Sequence, residues 1–272
     1  MAEAQPKDSL YPDQAPPPYI TTQSGINNSD TVICFPEVIV NDANGTEPLV
    51  KNFSFDDKQI RQGFIRKVYS IILVQLLITA GVIAWFMNDY KLQATVENNM
   101  PVFFGVTLTV YFSTAFCVIC FEGPRRRVPY NYIFLLLFTL SLAAMVGLIT
   151  TSFEFQEVMI AGGITFAIVV ALTIFAFQTK LDFTLLSGSL LCVLLVFTLF
   201  GFAMIFSPFP KLRLVYTAVG VLIMCVYLVY DTQLMIGGKH RYAISPEEYV
   251  FAALNIYLDI MYIFIRILRL MR

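Results

Sequence analysis

Past residue 67 the chain holds seven long apolar runs separated by six short polar breaks. The runs span 68–87, 101–121, 132–150, 158–177, 183–206, 214–236 and 249–268. Each is close to the ~20 residues that a helix needs to cross the hydrocarbon of a bilayer. The breaks read NDYKLQATVENN, EGPRRRVPY, TSFEFQE, QTKLD, SPFPK and GGKHRYAISPEE. Breaks this short make neighbouring helices antiparallel and leave no room for a second folded domain. Pro101, Pro208, Pro210 and Pro246 fall at run edges, where a missing N–H does least harm. Ser245, Pro246, Glu247 and Glu248 read as a helix start, with Ser245 as N-cap and Glu248 at N3. The pattern predicts an all-α membrane protein, a seven-transmembrane-helix bundle over residues 61–272.

Residues 1–60 show no apolar periodicity and many Pro, Asn, Asp, Ser and Thr. Such a segment cannot bury enough surface to offset its ordering entropy, and a disordered tail is expected. It has no basic stretch leading into an apolar core, so no cleaved signal peptide is expected. The first apolar helix then serves as the targeting signal. Within the tail, Pro16, Pro17, Pro18 and Tyr19 have the PPxY form, a polyproline II segment suited to the aromatic grooves of WW domains. A chance match in a Pro-rich linker is the equal alternative.

Composition agrees with the pattern: 57% of residues are hydrophobic and 14% charged, against roughly 25% charged in soluble domains. The net charge of −1, with no basic stripe beyond one short loop, gives no reason to expect a nucleic-acid partner. Charge does orient the helices. With the N-terminus in the cytosol, the inner count is Lys58, Arg61, Arg66, Lys67, Arg125, Arg126, Arg127, Lys180, Lys239 and Arg241. The outer count is Lys91, Lys211 and Arg213, joined by Arg266, Arg269 and Arg272 if the seventh run crosses. Those three arginines leave open a seventh segment that dips and returns. Asn27, Asn44 and Asn52 head Asn-x-Ser/Thr triplets, and glycosylation there would reverse the orientation. Cys34 and the intramembrane Cys117, Cys120, Cys192 and Cys225 read as free thiols. The CxxC at Cys117 and Cys120 lies in FCVICF, in a chain with one histidine, and suits packing better than a metal or redox centre. No tightly bound cofactor is expected.

The candidate chemistry lies in the last two runs, which hold Asp231 and Asp259. A carboxylate at membrane depth costs several kcal/mol or is neutralised, and marks an ion path, a proton site or a catalytic dyad. Asp231 stands about 8 Å from the cytoplasmic end of its helix and Asp259 about 15 Å into the next, a nominal offset of ~7 Å that tilt can reduce. Asn255 and Tyr262, at i−4 and i+3 of Asp259, complete a polar stripe. The plain alternative is interhelical glue, worth only ~0.6–2 kcal/mol per hydrogen bond. Two such residues on consecutive antiparallel helices, with Arg125 to Arg127 on a nearby loop, favour function. A close carboxyl pair cannot ionise twice cheaply and shares a proton. Protonated, it is a hydrogen-bonded lock; ionised, it repels itself and presents hard oxygens suited to Ca²⁺.

The segment SPEEYVFAALNIYLDIMYIFIRIL, preceded by LVYDTQLMIGG, closely resembles the transmembrane Bax inhibitor motif family, in its Lifeguard branch. GPRRRVPYNYIFLLLFTLSLA and FAFQTKLDFT resemble the same branch, and the likeness covers roughly residues 60–272. It implies a seven-helix bundle with a cytosolic N-terminus, acting as a pH-sensitive Ca²⁺ leak that suppresses apoptosis. It also implies residence in Golgi, ER, endolysosomal or plasma membranes; Bcl-2-type or death-receptor partners belong to the scaffold alternative below. The family's di-aspartyl pH sensor falls on Asp231 and Asp259, which would ligate Ca²⁺ only in passing; its arginine latch falls on Arg125, or on Arg126 one slip away. A glutamate of bacterial relatives has no counterpart in VTLTVYFSTAFC.

Three other classes compete. A presenilin-like aspartyl protease also has a Tyr-Asp in its sixth helix, but its partner motif is Gly-x-Gly-Asp. Here Tyr257 and Leu258 precede Asp259, and no Pro-Ala-Leu segment is present, so no enzyme is expected. A heptahelical receptor would place its N-terminus outside, against the charge count. A scaffold that binds cell-death regulators without conducting has no need for ionisable aspartates.

Overall fold

The computed structural model describes residues 50–121, 128–206, 209–237 and 244–271. Among these there are eight α-helices and no strand. They are α1 (Val50–Asn88), α2 (Tyr90–Asn98), α3 (Met100–Cys120), α4 (Tyr130–Thr150), α5 (Phe155–Gln178), α6 (Ser187–Ile205), α7 (Pro210–Ile236) and α8 (Tyr249–Leu270). Short 3₁₀ turns, Phe183–Leu186 and Pro246–Glu248, lead into α6 and α8. Seven spans are long and apolar enough to cross a membrane, and each coincides with one of the apolar runs. The protein is a multi-pass membrane protein. The seventh span is one uninterrupted helix, so the dip-and-return alternative does not describe it.

Two boundaries differ from expectation. Helix α1 begins at Val50, inside the stretch whose composition reads as tail. The polar break NDYKLQATVENN is not a plain loop, because Tyr90–Asn98 is helical. Asp89 caps it, its Oδ1 accepting from the N–H groups of Lys91 at 3.0 Å and Leu92 at 3.2 Å. Gln93 then donates to the Phe86 carbonyl at 2.7 Å and folds α2 back on the end of α1. At α5 the unforeseen cap is a capping box between Glu154 and Glu157. Ser245 does cap its turn, accepting from Glu247 N–H at 3.4 Å, one position earlier than Glu248.

Helix α8 is the hub. It packs against α1, α4, α5 and α7, and is buried on nearly every side. Ala252 and Ala253, both buried, let neighbouring backbones approach closely, while Ile256, Ile263 and Leu268 fill the space beyond. Phe64, Val68 and Ile72 of α1 and Phe138, Leu142 and Val146 of α4 complete that core. Helices α3 and α6 are more apolar than α8 but mostly exposed, as lipid-facing helices are.

Candidate functional site

The core closes around the two aspartates. Asp231 is 9% and Asp259 6% exposed, and their carboxyl groups are in hydrogen-bonding contact across α7 and α8. The offset read from helix arithmetic is closed by the packing of the two helices. Asp259 Oδ2 is buried and receives no hydrogen bond. Two carboxylates in such contact, both ionised, would repel by about 4 kcal/mol at an effective dielectric of ~20. One proton between them turns that repulsion into a hydrogen bond. Among the described residues, no third His, Cys, Asp or Glu joins them to make a metal-holding group. Ca²⁺ takes six to eight oxygens, more than two carboxyl groups supply.

The surroundings are braced from three directions. Gln233, two residues past Asp231, accepts from Phe183 N–H at 2.8 Å and donates to the Leu181 carbonyl at 2.9 Å, tying the α5–α6 connection to α7. From α1, Arg61 donates to the Ile244 carbonyl at 2.9 Å, and Ile244 N–H reaches Leu234 O at 2.9 Å. The entry to α8 is thereby fixed over the end of α7. Tyr249 opens α8 with Lys67 Nζ 3.3 Å from its ring centre, while its hydroxyl accepts from Asn131 at 2.6 Å. Deeper in, the hydroxyls of Thr79 and Tyr257 lie 2.7 Å apart and Gln75 donates to Thr139 at 2.9 Å. Tyr69 Oη, Gln75 Oε1 and Thr232 Oγ1 remain buried without a hydrogen-bond partner, and the Tyr69 hydroxyl lies near Thr173 and Thr232.

Residues 61–272 match the family described as Bax1-I, inhibitor of apoptosis-promoting Bax1. The chain belongs to this family. The match begins at Arg61, the first residue that braces the site. Human Protein lifeguard 3 is 42% identical over 222 residues, which cover 80% of this chain and 70% of that protein. Mouse Protein lifeguard 3 is 42% identical over 221 residues, 79% of this chain and 71% of the relative. A Golgi anti-apoptotic protein of Vaccinia virus (strain Lister) is 34% identical over 212 residues, 78% of this chain and 86% of the viral protein. In this Bax1-I member, YDTQ and QTKLDFT meet in space: Gln233 of the first holds the backbone of the second.

Other expectations fare differently. Asn255 is half-buried and bonds to neither carboxyl among the described residues. Tyr262 is 37% exposed and turns to α3, its hydroxyl 3.3 Å from that of Tyr111. A three-residue step leaves Tyr262 about 60° around α8 from Asp259, and that offset carries it to the bundle's edge. Arg125, Arg126 and Arg127 lie outside the described residues, as do Pro16, Pro17, Pro18 and Tyr19. Arg61 and Gln233 were not singled out from sequence. The signal was there in polar residues placed within a turn or two of otherwise apolar runs.

Proposed function

We propose that this Bax1-I member is a pH-sensitive Ca²⁺ leak of internal membranes, in which Asp231 and Asp259 share the gating proton. The contact between two buried carboxyl groups at the hub of the bundle carries the reading. With one proton shared, the pair holds α7 against α8. With both ionised, repulsion separates the helices and turns carboxylate oxygens toward a passing cation. Acid closes such a gate and base opens it. The viral relative's name, a Golgi anti-apoptotic protein, and the family's description support a role in suppressing apoptosis from a Golgi membrane. Limiting stored Ca²⁺ joins the two halves of the proposal. Arg125 or Arg126 would latch Asp231 in the closed state.

The test is Ca²⁺ uptake by liposomes containing the purified protein at pH 6 and pH 8, with Asp231→Asn and Asp259→Asn alongside. Uptake that rises with pH, and loses that dependence in either variant, is the expected result. Uptake no greater than in empty liposomes would sink the gate. The second reading is then a non-conducting scaffold for Bcl-2-type or death-receptor proteins, favoured by a family description that names an apoptosis-promoting protein as the target. Its mark is cell protection that survives both substitutions.

A further inference from the structure

Four cations that the positive-inside count places on the far side of the membrane, Lys211, Arg213, Arg266 and Arg269, line one cavity. It lies at the end of the bundle away from the entry to α8, between the C-terminal ends of α4, α6 and α8 and the start of α7. Its volume is about 1100 Å³, and among the described residues no acidic side chain lines it. Arg266 and Arg269 meet no carboxylate among the described residues, and Arg266 Nε is buried without a hydrogen-bond partner. Arg266 and Arg269 stand close enough to repel one another, and an anion bound between them would offset that repulsion.

The seat of Arg266 is built in advance. The Phe197 and Tyr216 rings stack 4.3 Å apart at 12°, and the guanidinium lies 4.7 Å from the first and 5.5 Å from the second. Tyr216 also donates to the Phe197 carbonyl at 3.1 Å. On α7, Gly220 leaves the room: a Cβ there would meet Arg266 Cζ at 2.5 Å and Phe197 Cζ at 2.7 Å. An arginine held this way keeps its planar fork, which matches phosphate oxygens in pairs. Ile149, Phe153, Met204 and Leu214 give the cavity an apolar wall beside the polar Ser152 and Thr217. Arg266 lies four residues from the end of α8, ~6 Å along the axis and so near headgroup depth.

We propose that this cavity holds the phosphate of an anionic phospholipid, with Arg266 and Arg269 on the phosphate and the acyl chains along the apolar wall. The shared chemistry with a soluble phosphate is the guanidinium pair; the apolar wall favours the lipid. The test is native mass spectrometry of the full chain, released from nanodiscs of phosphatidylcholine with and without phosphatidylserine or phosphatidic acid. One retained anionic lipid is expected, with about tenfold weaker retention in Arg269→Gln, which leaves the stacked seat intact. Arg266→Gln should act in the same direction, and Lys91→Gln, a charge loss outside the cavity, should not. Equal retention of neutral lipid, or indifference to Arg269→Gln, would overturn the proposal. A parallel arm adds millimolar inorganic phosphate. Complete displacement of the lipid would also overturn it and assign the cavity to a soluble phosphate. Persistence of the lipid supports it.

Discussion

The fifth and seventh spans, ending in α6 and α8, invert the rule learned from soluble proteins. The fifth is the more apolar, yet only 11% of it is buried inside the bundle, against 67% of the seventh. In water the more apolar helix would take the centre. In a bilayer lipid tails serve Leu191, Leu195 and Leu199 as well as protein does, so nothing draws those residues inward. What needs the interior is whatever lipid cannot satisfy: Asp259, Tyr249 and Tyr257 on α8, each with a polar partner on another helix. Polarity places the central helix here, and small residues such as Ala252 and Ala253 let it fit.

The sharpest way to break this contrast is truncation. Tyr257→Ala removes a fully buried ring and a buried hydrogen bond, and should cost about 3–5 kcal/mol. Leu195→Ala, at a residue 62% exposed to lipid, should cost well under 1 kcal/mol. Thermal unfolding of both variants in the same nanodisc is the check, and equal losses would refute the lipid-facing assignment of α6. Next in size is an exchange of charge. Leu195→Asp places a carboxylate in hydrocarbon and should destabilise by about 2.5–3.5 kcal/mol. Asp259→Asn should instead raise the unfolding temperature at pH 8, where the native pair carries the repulsion. It should change little at pH 5, where the shared proton has removed that repulsion. A stabilising effect larger at pH 5 than at pH 8 would contradict the shared proton. Smaller still is Tyr257→Phe, which removes only the bond to Thr79 and should cost about 0.6–2 kcal/mol. Smallest is Lys67→Gln, which gives up the contact with the Tyr249 ring, worth about 0.5–2 kcal/mol. Shortened protection of the first turn of α8 in hydrogen exchange would report it.

All seven spans were legible in sequence because the bilayer imposes both length and apolarity, and backbone groups have no other way to cross. Helix α2 was not, since its cap at Asp89 and its tie through Gln93 lie in a segment that composition marks only as polar. The aspartate pair was legible as an anomaly, but not its contact. Counting residues along two helices gives depth along each axis and says nothing of how the axes cross. The hub position of α8 was hidden for a related reason: an apolar run looks the same whether lipid or protein covers it. In sequence Arg266, Arg269 and Arg272 only left open how the seventh segment crosses, and only the fold shows that Lys211, Arg213, Arg266 and Arg269 line one cavity.

The attachment of α6 has a mechanical consequence. Tyr216 and Tyr227 of α7 donate to the carbonyls of Phe197 and Leu190, and Gln233 holds the connection just before α6. Helix α6, mostly exposed on the outside of the bundle, is thus suspended from the one that carries Asp231. Any turn of α7 about its axis is handed outward as a swing of α6, and the area the molecule occupies in the membrane changes with it. Under the proposed gate, lateral pressure and bilayer thickness would act on the same coordinate as the proton, and Ca²⁺ uptake compared in thin and thick bilayers would reveal that second input.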